Sequence, residues 1–274
     1  MTTPQLIDLV IQCSINSLMA LGLSIQMRSG QLSAASGALA GVGALVAVKL
    51  TIANQPIALC LLGGGFASAV IGALLSAPLV RLRGFYLAVA TLAFAELMRV
   101  VAQNIEWMGG ATGLQNIQIR TSLFSVLLVL VIVMIGTVLL SRSIFGLRLE
   151  NAQDSESALQ VLGINTDAHR TIAFTIGASI LGIGGAFHAH YVGFLPPEFY
   201  GVERGVEVLL FVSLAGIRYP LLAIAAASMV TILVESLRAA GEDRYLVYGG
   251  MLILISILRL RGPQLIHWTR TKLS

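Results

Sequence analysis

Apolar residues run along this chain in long blocks separated by short polar breaks. A helix rises about 1.5 Å per residue and a bilayer's hydrocarbon core is about 30 Å thick, so a crossing needs roughly 17 to 25 mostly apolar residues. By that measure the sequence predicts spans at 6–26, 32–52, 56–80, 84–105, 122–141 and 171–194, followed by apolar blocks at 205–217, 219–238 and 245–260. The 205–217 block is too short to cross alone. It is expected as a tilted, broken or re-entrant helix held against protein, where irregular backbone is tolerated in a membrane. The pattern therefore predicts eight spans, or nine with the short block.

One stretch breaks the rhythm. Between the fifth and sixth blocks, 141–170 holds Arg142, Arg148, Glu150, Asp154, Glu156, Asp167 and Arg170, seven of the thirty charged residues. A plain connection between spans needs no such density, so a docking element is expected there. Within it, 154–162 has helical spacing. Ala158, Leu159 and Leu162, at i, i+1 and i+4, share one side, Asp154 and Glu156 supply flanking charge, and Gly163 stands where a glycine commonly ends a helix. Periodicity alone fits equally well a short helix lying on the bilayer or on its own bundle.

Composition agrees with the blocks. With 57% hydrophobic and 11% charged residues and a mean hydropathy of +0.88, the chain lies far from soluble domains, where about a quarter of residues are charged. We expect an all-α, polytopic bundle forming one membrane domain over 1–274. The net charge of +4 is no sign of nucleic-acid binding, because the basic residues stand singly at the ends of apolar blocks, where they set topology. Arg28, Arg81, Arg83, Arg142, Arg148, Arg170, Arg218, Arg259, Arg261, Arg270 and Lys272 fall on one side, leaving six of the seventeen basic residues elsewhere. The positive-inside rule makes the richer side cytoplasmic. The N-terminus is then outside, the C-terminus and the 142–170 segment inside, and the number of crossings odd, hence nine. No basic region precedes Leu6, so the first block reads as a retained span rather than a cleaved signal. Cys13 and Cys60 lie inside apolar blocks and read as small core residues.

Ionisable groups inside spans are costly and usually face protein or a water-filled path. Glu96 and Arg99 are one helical turn apart and can pair; Glu235 and Arg238 repeat the arrangement. Gln12 and Asn16 share a face of the first span, and Ser33 and Ser36 open the second. These residues are candidates for a solute path, and equally for structural ion pairs and interhelical hydrogen bonds. Glycines at 37, 41, 43, 63–65, 72, 177, 182, 184 and 185 predict close helix packing. His188 and His190 are about 200° apart around a helix, which does not suit a metal pair. Trp107, Trp268, Tyr245 and Tyr248 read as interface anchors. A P-loop needs lysine after a glycine-rich turn, but the only lysines are Lys49 and Lys272, neither preceded by glycine. A convergent nucleophile and base are likewise not apparent, so an intramembrane enzyme is disfavoured.

The run RLRGFYLAVATLAFAELMR at 81–99 resembles the RLRG-x-Y-x-A-x-x-T-L-x-F-x-E-x-x-R run of the permease subunits of branched-chain amino-acid ABC importers. In the same order, GGATG at 109–113 resembles that family's TGG-x-x-G loop. Phe145-Gly146, Glu156-Ser157-Ala158 and Leu162-Gly163-Ile164 resemble its cytoplasmic segment. Ala173-Phe174, Gly184-Gly185 and GFLPPEF at 193–199 resemble its AF…AG…GF-x-x-P-E-x-F pattern. The resemblance covers about 21–263. The chain departs from it at AGIRYP (215–220), at RGPQL (261–265) and at QDSE (153–156), which bear on the substrate and the partner contact.

That resemblance implies an importer permease whose cytoplasmic coupling helix, here Asp154, Glu156, Ala158, Leu159, Leu162 and Gly163, seats in an ATPase subunit. It further implies two ABC ATPase subunits carrying ATP and magnesium, a second homologous permease and an extracytoplasmic solute-binding protein, all at a bacterial inner membrane. No cofactor is expected on this chain. Branched-chain or related amino acids are the implied solutes, with urea, amides or organic acids as alternatives. A proton- or sodium-coupled secondary transporter would also explain the intramembrane carboxylates, but would not need the 154–162 helix.

Overall fold

A computed structural model describes residues 3–154, 161, 163–216, 220–236 and 250. Residues 1–228 form one compact unit and 229–274 another. Nine helices are described: α1 (Thr3–Arg28), α2 (Ser36–Ile52), α3 (Ile57–Leu79), α4 (Phe85–Asn104), α5 (Leu123–Arg142), α6 (Ile144–Asp154), α7 (Thr166–Val192), α8 (Val202–Ala215) and α9 (Pro220–Ser236), with short 3-10 turns at Glu106–Met108, Gly110–Thr112 and Pro197–Tyr200. Among the described residues five helices, α1, α3, α4, α5 and α7, are long and apolar enough to cross a membrane; α2 and α9 are shorter apolar helices. The fold is the expected all-helical, polytopic kind.

Several hydroxyls of α1 are satisfied within their own helix. Ser14, Ser17 and Ser24 donate to the carbonyls of Val10, Cys13 and Leu21 at 2.7 Å each. Hydroxyls bonded this way need no water, as apolar surroundings require. Cys13 and Cys60 are buried and free.

α2 forms the centre of the first unit. Thirteen of its seventeen residues are buried, and α7, α3 and α8 pack around it. Backbones touch at glycines: a Cβ on Gly43 would fall on Gly182 of α7, and one on Gly64 of α3 would fall on the Gly43 carbonyl. Such close approach is how helices associate where burial from water supplies no drive. Side-chain hydrogen bonds cross the same contacts. Ser68 donates to Leu39 O at 2.7 Å, the Thr51 hydroxyl lies 2.6 Å from His190 Nε2, and Gln26 Nε2 donates from α1 to Phe174 O on α7 at 3.1 Å.

Three boundaries differ from the sequence expectation. The second span begins at Ser36 rather than 32. Gly30, at φ +77°, turns the chain after α1, Ala34 N donates to Thr91 Oγ1 on α4 and Ala35 N to Ser33 Oγ, so these residues bond outside any helical ladder. α7 begins at Thr166 rather than 171, because Asn165 caps it by accepting from Ala168 N at 3.0 Å. Thr166 and Arg170 are buried, so the end of the polar 141–170 segment belongs to the bundle. The expected 205–217 helix is α8, shifted to Val202–Ala215 and only fourteen residues long. Of the expected 245–260 span only Gly250 is among the described residues.

A further helix, α6, stands just ahead of the expected 154–162 helix. Leu149 seats it in a buried cluster with Ile25, Ala173 and Ile180, and Phe145 stacks on His169 of α7 at 5.3 Å. The α4–α5 connection is pinned to the segment after α7 by paired backbone bonds between Leu114 and Leu195, each 3.0 Å. Lys49 Nζ sits 5.0 Å over the Trp107 ring, and Arg120 donates to Gln55 O at 2.8 Å.

Candidate functional site

Three helices each bring a pair of polar side chains, spaced three or four apart and so on one face, to a common place beside the Pro197–Tyr200 turn. α1 supplies Gln12 and Asn16, α7 supplies His188 and Tyr191, and α8 supplies Arg204 and Glu207. Gln12 Nε2 donates to the Tyr191 hydroxyl at 3.3 Å. Arg204 Nη2 donates to Asn16 Oδ1 at 2.8 Å and lies 3.3 Å from Met19 Sδ. The other arm of the guanidinium pairs with Glu207, with 12% of the Arg204 side chain and 39% of the Glu207 side chain exposed. The arginine is thus held inside protein while its carboxylate partner reaches an open surface.

The turn completes the cluster. The Phe199 ring stacks on His188 at 4.5 Å and an interplanar angle of 27°, and Arg204 Cζ lies 5.5 Å from the same ring. Among the described residues, Arg204 Nε and His188 Nδ1 are buried without a hydrogen-bond partner. Next to Phe199, Tyr200 is fully buried against Gly41 of α2, where a side chain could not fit. Burial pushes its phenol above the ordinary value, so it stays uncharged.

On the far side of the turn, Glu96 and Arg99 pair on α4, as their spacing predicts, with 46% and 30% of their side chains exposed. Arg99 Cδ lies 3.0 Å from where a Cβ on Gly201 would stand, and Glu198 adds an electrostatic attraction to Arg99. Arg99 of α4 and Arg204 of α8 thus both lie against residues 197–201.

The residues expected from the sequence divide accordingly. Gln12 and Asn16 enter the cluster. Ser36 lies beside it, donating to Gly205 O at 3.1 Å. Ser33 caps its own turn instead. Glu235 is on α9 in the second unit, and Arg238 lies outside the described residues. Asp154 closes the described part of α6 and Gly163 has φ +74°, whereas Glu156, Ala158, Leu159 and Leu162 lie outside the described residues.

Sequence reasoning missed Arg204, Glu207, His188 and Tyr191. The signal was present: Arg204 and Glu207 are three apart, the spacing that marked Glu96 and Arg99. Starting the short block at 205 left Arg204 among loop residues. The spacing of His188 and His190 speaks only against a metal pair, and in the fold they diverge, His188 to Phe199 and His190 to Thr51. The cluster holds a cation, an anion, two amides, an imidazole and a phenol, which suits reversible binding of a small polar solute.

The family described as branched-chain amino acid transport system, permease component, matches residues 5–256. Similar proteins include the high-affinity branched-chain amino acid transport system permease proteins LivM of Salmonella typhimurium strain LT2 and of Escherichia coli strain K12. Each is 28% identical over 307 aligned residues, covering 97% of this chain and 71% of the relative. No solved structure gives a significant match.

Proposed function

We propose that this chain, which belongs to the permease-component family of branched-chain amino acid transport systems, moves a small amino acid inward through the polar cluster between α1, α7 and α8, driven by ATP hydrolysed on partner subunits. The observation that carries this reading is the Asn16–Arg204–Glu207 network inside a largely apolar bundle. Charges in that setting are expensive unless they serve a path or a partner. The solute class rests on the likeness to the two LivM branched-chain amino acid permeases.

The rest of the assembly follows from the same premise. Nine crossings with the N-terminus outside place residues 142–170 in the cytoplasm, where 154–162 is the coupling helix for an ATPase, one for each of two permeases. A solute-binding protein delivers from outside, where the 193–201 turn would face it. A second permease is favoured by α4. Few of its residues are buried, and Glu96 and Arg99 are partly exposed on it. Charges left against lipid are costly, so a second permease or a water-filled path between the two would cover them.

The coupling assignment is tested by copurification of the ATPase subunits from the source with the permease in mild detergent. Glu156→Arg combined with Leu159→Asp is expected to lower ATPase recovery about tenfold or more, the effect of losing a buried anchor and reversing a charge at one interface. Undiminished recovery would remove the coupling role from 154–162.

A further inference from the structure

Arg204 differs from Arg99, the arginine of α4, in ways that bear on ligand binding. Its side chain is 12% exposed, against 30% for Arg99. It is gripped from three directions: by Asn16 of α1, by Glu207 of its own helix and by the face of Phe199. Holding a guanidinium in one orientation removes much of the entropy that arginine otherwise loses on binding an anion, and with Nη1 on Glu207 and Nη2 on Asn16 the Nε–H is the donor left for a carboxylate.

Two buried nitrogens at this place lack a partner, Arg204 Nε and His188 Nδ1. The groups that carry them lie against one Phe199 ring, and the guanidinium charge acts on the imidazole. Buried polar groups are nearly always satisfied, so a pair left open at one place points to an occupant that brings an acceptor. Arg204 also lies in the first turn of α8, whose N-terminus has no side-chain cap. Such an end carries partial positive charge and, at a short helix in a membrane, suits an anionic solute group. The opposite charge is at hand in Glu207, which pairs with Arg204 by one oxygen and is the more open of the two.

We propose that Arg204 and Glu207 form a zwitterion clamp. The α-carboxylate of an amino acid is received by the free Nε edge of Arg204, with His188 Nδ1–H as second donor, and the α-ammonium is received by Glu207. The α-carbon's two charged groups fix the solute, and the side chain is left to the apolar surroundings. This rests on the importer reading above and deepens it, because it assigns recognition to the backbone groups shared by all amino acids. Urea and simple amides, which lack both charges, are excluded as solutes of this station.

The test uses the whole transporter in proteoliposomes, with leucine and saturating binding protein outside and ATP inside, reading leucine uptake and ATP hydrolysis together. For Arg204→Gln we expect leucine moved per ATP to fall about tenfold or more while hydrolysis stimulated by the binding protein stays within about twofold, the result of losing one partner of a desolvated charge contact. Arg204→Lys, which keeps the charge but not the fork, recovers only part. Glu207→Gln, at a more open position, gives the same loss of leucine per ATP and stands in should Arg204→Gln fail to assemble.

A wild-type ratio in either glutamine variant overturns the clamp. So does a parallel loss of uptake and hydrolysis in assembled Arg204→Gln, which would mark a merely structural arginine. Absence of ATP-dependent uptake by the wild-type complex would instead remove the importer reading, and the clamp with it.

Discussion

Replacing Gly185 by leucine is expected to prevent the bundle from forming. A Cβ at this position would fall on the carbonyl oxygen of Ala40 in α2, with the Ala40 carbonyl carbon and Cα only 2.6 and 2.9 Å away. These are backbone atoms of a helix buried nearly all round, so they cannot turn aside as the end of a flexible side chain can. α2 and α7 would have to separate, opening the Gly43–Gly182 contact and the Thr51–His190 hydrogen bond along the same seam. Overpacking of this kind costs typically 1 to 3 kcal/mol, occasionally more, and a whole leucine against backbone belongs at or above about 3 kcal/mol. The check is the amount of protein recovered from the membrane and its unfolding midpoint in mild detergent. Gly136→Ala is the control. Nothing lies within 4 Å of its added Cβ on α5, and alanine favours helix by up to about 1 kcal/mol, so this variant should be as stable as wild type or slightly more.

Tyr200→Ala is expected to cost nearly as much and to disable the site as well. The side chain is fully buried, and its ring atoms Cε1 and Cγ come to 2.8 Å from where a Cβ on Gly41 would stand. Truncating a buried aromatic typically costs about 3 to 5 kcal/mol, through lost contacts and the cavity left behind. Here the loss also frees the turn that presents Phe199 to His188 and Arg204. Thermal unfolding in detergent should fall steeply, and uptake by any assembled fraction should fall with it. Tyr200→Phe separates the ring from the hydroxyl. That oxygen is buried and has no hydrogen-bond partner among the described residues, and a buried unsatisfied group costs about 1 to 3 kcal/mol. The phenylalanine variant should therefore unfold no earlier than wild type. Earlier unfolding would mean that the hydroxyl has a bound partner, such as a water or the solute itself.

Much of this fold is legible in the chain because a membrane makes the rules simple. Length and hydropathy locate α1, α3, α4 and α5 to within a few residues, since in lipid the backbone must satisfy itself and a helix is the available solution. Capping and tertiary bonds are less visible. The start of α2 is set by Ala34 bonding to Thr91, a contact with α4, and the start of α7 by the Asn165 cap. Glycines announce close packing, but which ones meet becomes clear only in three dimensions. Gly43 of α2 touches Gly182 of α7 and also serves as the contact for Gly64 of α3.

The candidate site was half legible for a related reason. Gln12 and Asn16 stand out as polar residues on one face of an apolar helix. Arg204 and Glu207 open a helix too short to read as a span, so their charges pass for those of a loop. Their partner Phe199 carries no polar signal at all. The meeting of α1, α7 and α8 depends on the order of helices in the bundle, which the pattern along the chain does not encode.

The account stands most directly on the source of energy for uptake. The complete transporter, with its partner permease, ATPases and binding protein, would be placed in proteoliposomes and internalised leucine measured with ATP inside, and separately with only a proton or sodium gradient. Uptake that requires ATP and persists when both gradients are collapsed is the predicted result; uptake that follows either gradient and ignores ATP would contradict it.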